Sequence, residues 1–333
     1  MMRLPRFRYT APATLMEATR VLAGEGPEAM VVAGGTDLYP NMKRRHQMPK
    51  SVVALRRLER LRGIRGSARG GFSVGPLTTL TEIEESAPLA RAWPGLHEAV
   101  RTISTPILRN MGTIGGNLCL DTRCNYYNQN YEWRRAINFC MKCEGEVCWV
   151  APSSDVCLAV SSSDGAPMLC AIGARLRLVS ASGGRVIETK DLYVRDGIRY
   201  LSKRPDEILA SIDLPPAAGW RTAYRKLRRR EAFDFPVVGV AACLRFEGPV
   251  VAEARLWLGA VASAPVDAGE AARALVGRPL DDEAIDAASR LAWPVAKPVD
   301  NTDFGVRWRK EMARLLTRDA LRSLRRDAGA SRA

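Results

Sequence analysis

Met30-Val31-Val32-Ala33-Gly34-Gly35-Thr36-Asp37-Leu38 is the stretch on which the reading of this chain turns. An unbroken apolar run of this length, followed by turn residues, reads as a short buried strand. The glycine pair behind it lets the backbone reach positive φ and lets N–H groups approach a ligand closely. N–H groups at the helix start that follows favour phosphate oxygens. The G-x-G-x-x-G spacing of a dinucleotide fingerprint is missing, so this is not a Rossmann turn. Taken alone, the stretch also reads as an ordinary tight strand-to-helix turn.

A second turn, Thr113-Ile114-Gly115-Gly116-Asn117, carries the same chemistry of paired glycines beside a hydroxyl and an amide. Two separated glycine loops of this kind could clasp the two phosphates of a pyrophosphate between them.

Around the first turn the order is strand, helix, strand. Phe7-Arg8-Tyr9 is followed by a helix that Thr14 caps, with Glu17 three residues on. A helix is expected over 38–45 and an apolar strand over 51–55, giving a small parallel α/β unit over 1–55. A second unit, 56–216, holds a strand at 71–75, a capping box from Thr79 to Glu82, a helix about Glu98 to Val100, and a half-buried strand over 174–179. Gly183-Gly184 reads as a hairpin turn behind that strand. Pro215-Pro216 opens a linker into a third unit, 217–333, with antiparallel strands over 237–246 and 252–258 covered by helices over 281–291 and 304–324. Residues 327–333 read as a frayed tail.

The net charge is +14, from 50 basic and 36 acidic residues. Arginines concentrate at 225–230 and 307–326, and the apolar spacing of 307–316 predicts a helix whose arginines form a solvated face. No recognition helix, zinc-finger spacing or RNA-binding aromatic signature is present, which argues against nucleic acid and for acidic partner subunits. The longest apolar runs, such as 237–244, are far too short to span a bilayer. The start carries no secretory signal, so a cytoplasmic location is expected.

Six of the eight cysteines lie between Cys119 and Cys157. In a reducing compartment such crowding points to metal ligands rather than disulfides. Cys124, Cys140, Cys148 and Cys157 are separated by 16, 8 and 9 positions, and Cys143 forms a C-x-x-C pair with Cys140. Iron–sulfur clusters accept four thiolates delivered by loops. Zinc accepts four as well, usually as two close pairs, of which there is one here. Spacing leaves both open. The polar, aromatic stretch 125–133 has few apolar contacts to order it, which an inorganic staple would remedy.

These motifs, in this order, resemble the FAD-binding subunits of the molybdenum hydroxylase family. The resemblance runs from Phe7-Arg8-Tyr9 through Gly75-Pro76-Leu77-Thr78-Thr79-Leu80 and Arg109-Asn110-Met111-Gly112-Thr113 to Tyr224-Arg225-Lys226, Phe233-Asp234-Phe235-Pro236 and 307–312. It implies an α+β fold: an FAD-binding domain of two α/β subdomains, then a C-terminal α+β domain with an antiparallel sheet and helices. It implies FAD contacts at Val31, Val32, Ala33, Gly34, Gly35, Thr36, Asp37 and Leu38, and at Thr113, Ile114, Gly115, Gly116 and Asn117. Asp164 rather than Asp155 takes the ribose, by its spacing to Gly173-Ala174-Arg175-Leu176. Lys226 matches a lysine near the flavin, although it also reads as one member of a basic run. Asn125 and Ile103 are further flavin neighbours.

The segment at about 120–159, entered through Asn117-Leu118-Cys119-Leu120-Asp121-Thr122-Arg123-Cys124, resembles an insertion in the 4-hydroxybenzoyl-CoA reductase branch of that family, which carries a 4Fe–4S cluster. That resemblance implies Cys124, Cys140, Cys148 and Cys157 as ligands, with Cys119 outside and Cys143 as the alternative. It implies a large subunit with the molybdenum cofactor, a 2Fe–2S small subunit, a dimer of heterotrimers, and ferredoxin as electron donor for removing a phenolic hydroxyl. No catalytic residue is expected on this chain, and neither His46 nor His97 fits a dyad. The alternatives are a flavin–iron subunit of an aldehyde or N-heterocycle hydroxylase and, from another class, a zinc-stapled scaffold without redox chemistry.

Overall fold

A computed structural model describes residues 3–325, so the expected tail at 327–333 lies outside the described residues. Three sheets organise the chain. The first is parallel, with β1 (Arg8–Thr10), β2 (Ala29–Val32) and β3 (Ser51–Ala54) in the order β1-β3-β2. The helix Leu15–Glu25 connects β1 to β2. Thr14 Oγ1 accepts from the Glu17 N–H at 3.1 Å, and the Glu17 carboxylate accepts from the Ala13 N–H at 2.8 Å. Strand side chains alternate between faces. Val53 therefore joins Ala18 and Leu22 on one side, while Val52 and Ala54 meet Leu38 and Met42 of the helix Leu38–Lys43 on the other.

The second sheet holds β4 (Ile64–Ser67), β5 (Gly71–Val74), β6 (Arg175–Ser180), β7 (Gly183–Glu188) and β8 (Ile208–Leu214), in the order β4-β5-β8-β6-β7 with every pairing antiparallel. Neither β4 nor the central β8 was expected. The β6–β7 turn is also two residues earlier than expected. Ser180 pairs with Gly183, so Ala181 and Ser182 make the two-residue turn and both glycines lie in the strand.

The third sheet, β9 (Trp220–Leu227), β10 (Val238–Glu247), β11 (Val250–Gly259) and β12 (Val266–Asp267), is antiparallel in the order β12-β11-β10-β9. β10 is buried on both faces. Val240, Ala242 and Leu244 meet the helices Asp282–Val295 and Val306–Leu324, while Ala241 and Cys243 face the second unit. Between the two sheets sits the helix Gly165–Ile172, all eight of whose residues are buried. That all-round burial explains its lack of a polar face.

The solvated arginine face expected over 307–316 needs one correction. Arg309 is fully buried, donating to the carbonyls of Val237 at 3.3 Å, Val299 at 2.9 Å and Ala260 at 2.6 Å. Burial lowers its pKa to about 10, so it stays charged at neutral pH and pins the last helix to the sheet. Among the described residues no helix is long and apolar enough to cross a membrane.

Candidate functional site

The two glycine turns meet back to back. A Cβ on Gly34 would stand 1.8 Å from the Met111 carbonyl oxygen, so only glycine lets the first turn lie against the segment that leads into the second. Gly35 follows at φ +74, in the left-handed region that favours glycine. In the second turn, Thr113 Oγ1 accepts from the Gly116 N–H at 3.1 Å and opens the short helix Ile114–Leu118.

Between the turns lies a cleft of about 480 Å3. It is lined by Val31, Val32, Ala33, Gly34, Gly35, Thr36, Asp37 and Leu38, by Thr113, Gly115, Gly116 and Asn117, and by Ile103, Asn125 and Asp164. Two expected contacts are not in the lining. Ile114 points into the core of the second unit, because the residue after a helix cap turns inward with the apolar face. Lys226 stands behind Asp164 instead of facing the cleft: its Nζ donates to an Asp164 carboxylate oxygen at 2.9 Å and to the Thr102 carbonyl at 2.8 Å.

Asp164 is held from two sides. Tyr224 donates to its other oxygen at 2.9 Å. The Asp164 and Lys226 side chains are only 3% and 2% exposed. Burial raises the Asp164 pKa and lowers that of Lys226, and each opposes the shift of the other. Asn117 fixes this wall to the second turn, since its Oδ1 accepts from Ser163 Oγ at 2.8 Å and from the Gly165 N–H at 3.0 Å. Asp155 is exposed and outside the lining.

Sequence reasoning missed Arg123, Tyr200, Lys203, Arg229 and the phenylalanines Phe233 and Phe235 in this cleft. Arg123 is ion-paired with Asp37, donates to Asn41 Oδ1 at 3.1 Å, and lies over the Phe235 ring at 4.9 Å. Burial raises the Asp37 pKa and Arg123 pulls it back. Phe233 and Phe235 come from the loop joining β9 to β10, and the Phe233 N–H reaches the Ser104 carbonyl at 2.9 Å. The Phe-Asp-Phe-Pro motif was visible in the sequence, but nothing local said that it lines the same cleft as the two glycine turns.

The cysteine-rich segment forms the neighbouring wall. Cys124, Cys140, Cys148 and Cys157 are buried and line one small pocket with Tyr126, Tyr127, Lys142 and Trp149. Cys143 is outside that lining, its Sγ accepting from Arg134 Nη1 at 2.9 Å. Cys119 lines the cleft instead, and Cys170 and Cys243 are core residues between the sheets. Burial pushes Cys124 up to about 11 and Cys157 up to about 12, so without a metal both are neutral thiols. Among the described residues no group of three or more His, Cys, Asp or Glu side chains is arranged to hold a metal ion. The four thiols share a pocket without standing as a ready ligand set.

Residues 5–217 match the model of the FAD binding domain in molybdopterin dehydrogenase, and residues 222–324 that of the CO dehydrogenase flavoprotein C-terminal domain. The chain is an FAD-binding medium subunit of the molybdenum hydroxylase family. The medium subunit is 30% identical over 316 residues to the carbon monoxide dehydrogenase medium chain of Afipia carboxidovorans, covering 95% of each. It is 28% identical over 322 residues to the glyceraldehyde dehydrogenase medium chain of Sulfolobus acidocaldarius, covering 96% of this chain and 99% of the relative. In structure it resembles a chain of carbon monoxide dehydrogenase from Hydrogenophaga pseudoflava, with TM-score 0.80, 27% identity, and coverage of 96% and 98%. The mixed helix and sheet fold expected from the sequence agrees with these neighbours, and the cleft between the glycine turns lies inside the matched FAD-binding domain.

Proposed function

We propose that this medium subunit is the FAD- and 4Fe–4S-bearing electron-transfer subunit of a molybdenum enzyme of the 4-hydroxybenzoyl-CoA reductase type. The observation that carries the reading is the gathering of Cys124, Cys140, Cys148 and Cys157, four buried thiols from one segment, in a pocket beside the flavin cleft. Four soft donors with no hard oxygen ligand among them suit iron–sulfur chemistry. When bound, the two cofactors would pass electrons singly between a ferredoxin-type donor and partner subunits carrying 2Fe–2S centres and the molybdenum cofactor.

The chain's own residues bind, orient and exclude water. The glycine turns present backbone N–H groups to the pyrophosphate. Asp164, held by Tyr224 and Lys226, meets the ribose with a carboxylate whose orientation is fixed before the ligand arrives. Arg123 and Phe235, stacked on each other, line the cleft. The thiols hold the cluster as thiolates, so its loading releases protons that the buried groups otherwise retain.

The test is anaerobic purification with metal, sulfide and flavin quantitation. The reading expects about four iron, about four sulfide and about one FAD per chain; a zinc-bearing chain with no flavin absorbance refutes it. A second reading, the flavin–iron subunit of an aldehyde or N-heterocycle hydroxylase, is favoured by relatives named as glyceraldehyde dehydrogenase and aldehyde oxidoreductase subunits. Assay of the whole complex separates the two: ferredoxin-driven reduction of 4-hydroxybenzoyl-CoA supports the first, and aldehyde or heterocycle oxidation the second.

A further inference from the structure

Lys142 sits between Cys140 and Cys143 in sequence, and it lines the thiol pocket. Its ammonium makes three hydrogen bonds, and one of the acceptors, Asp121, belongs to the wall of the cleft. It donates to Asp121 Oδ1 at 2.8 Å, to Thr122 Oγ1 at 2.8 Å and to the Gly197 carbonyl at 2.6 Å. The rings of Tyr127 and Tyr200 flank it at 5.2 and 5.5 Å. The Lys142 and Asp121 side chains are 6% and 7% exposed. The other Asp121 oxygen accepts from Gln47 Nε2 at 3.1 Å, and Asp121, Gln47 and Tyr200 all line the flavin cleft. Gly197, which accepts from this ammonium, is also tied to the thiol segment, since its N–H donates to the Cys157 carbonyl at 2.7 Å.

A buried ion pair is retained only while its geometry and remaining hydrogen bonds are complete. A shift of the loop carrying Cys140 and Cys143 would pull the ammonium from three acceptors at once and leave Asp121 a buried charge facing the cleft. Conversely, a ligand that fixes Asp121 and Tyr200 fixes the ammonium, and through it the loop. We propose that Lys142 is a positioning residue that couples the two sites: flavin in the cleft closes the thiol-bearing loop, and a filled thiol pocket tightens the hold on flavin. Such coupling is reciprocal by thermodynamic necessity. It rests on the flavin reading of the cleft and on no particular metal.

The experiment uses the full chain stripped of metal with a chelator under argon. Labelling by N-ethylmaleimide is followed at Cys140 and Cys148 by peptide mass spectrometry, with and without saturating FAD. In the wild type FAD slows labelling at both by about fivefold or more, the lower end of ordinary coupling. In Lys142→Met, with FAD bound as read by flavin fluorescence, the effect falls below about twofold. Asp121→Asn, which breaks the tie from the other side, gives the same loss should Lys142→Met fail to fold. Cys170, remote in the core, reports global opening and must not change. The proposal is overturned if FAD gives no protection in the wild type, or if protection persists in either folded variant. Iron determination on the untreated chain keeps the two readings apart: protection without iron leaves the coupling standing while the cluster falls, and iron without protection does the reverse.

Discussion

Lys226→Met removes the ammonium that stands 2.9 Å from the Asp164 carboxylate and keeps most of the apolar stem. Asp164 would retain the Tyr224 hydroxyl at 2.9 Å as its side-chain donor. At 3% exposure its side chain has no ready access to water. Breaking one partner out of a buried pair costs about 3–5 kcal/mol, most of it the penalty of the charge left behind. The loss has a pH signature. Burial already holds Asp164 above its ordinary value, with Lys226 pulling it down, so the variant raises it further. A folded-state pKa above the unfolded value of about 3.9 means that the folded chain keeps a proton the unfolded chain has released. Stability from that group is full below about pH 4 and is lost as pH rises through the folded value. The deficit against wild type is therefore larger at about pH 8 than at about pH 5. Urea unfolding followed by tryptophan fluorescence at both pH values measures it. The double change Asp164→Asn with Lys226→Met, which removes both charges, recovers most of the loss. A deficit under about 1 kcal/mol, the size of a surface pair, or one identical at the two pH values, would refute the reasoning.

Gly34→Ala drives a methyl group into the Met111 carbonyl oxygen and must part the two glycine turns; overpacking of this kind costs about 1–3 kcal/mol, and flavin titration should show FAD binding about tenfold weaker for each 1.4 kcal/mol that falls on the cleft. In the metal-free chain, alkylation of Cys124 should rise with an inflection near its pKa of about 11 rather than the ordinary 9.0. The sign for stability follows: the folded chain retains a thiol proton that the unfolded chain loses, so Cys124's contribution falls as pH climbs between those values, and an inflection at the ordinary thiol pKa would contradict the burial. Cys148→Ser should abolish the absorbance of the proposed cluster and leave FAD in place, whereas Cys143→Ser should not; the reverse pattern moves the proposed ligand role to Cys143. Arg309→Leu takes the guanidinium from the buried carbonyls of Val237 and Ala260 and should lower the urea midpoint by the equivalent of about 2 kcal/mol or more; an unchanged midpoint would show that the last helix is held by its apolar face alone.

Much of this site was legible in the chain because its parts are local. Thr14 with Glu17 and Thr79 with Glu82 announce their helices within four residues, and both caps form as expected. The glycine turns are local too, although the sequence offered N–H access as their reason while Gly34 is also required by the backbone of Met111. Strand β8 escaped notice although it is the centre of its sheet, because its partners β5 and β6 come from far earlier in the chain. Arg309 looked like one more surface charge, since its three acceptors come from the residues just before β10 and just after β11 and from the segment before the last helix.

Sequence alone settled what depends on residue type and short spacing: two glycine-rich turns, a crowded thiol segment, and no run able to cross a bilayer. Only the tertiary structure decided which groups face one another. It placed Asp164 in the cleft with Lys226 behind it, turned Ile114 into the core, brought Phe235 over Arg123, and gathered four thiols while leaving Cys143 to Arg134. The physical reason is that hydrogen bonds and burial act over a few ångströms in space, between atoms that the chain order holds up to a hundred residues or more apart.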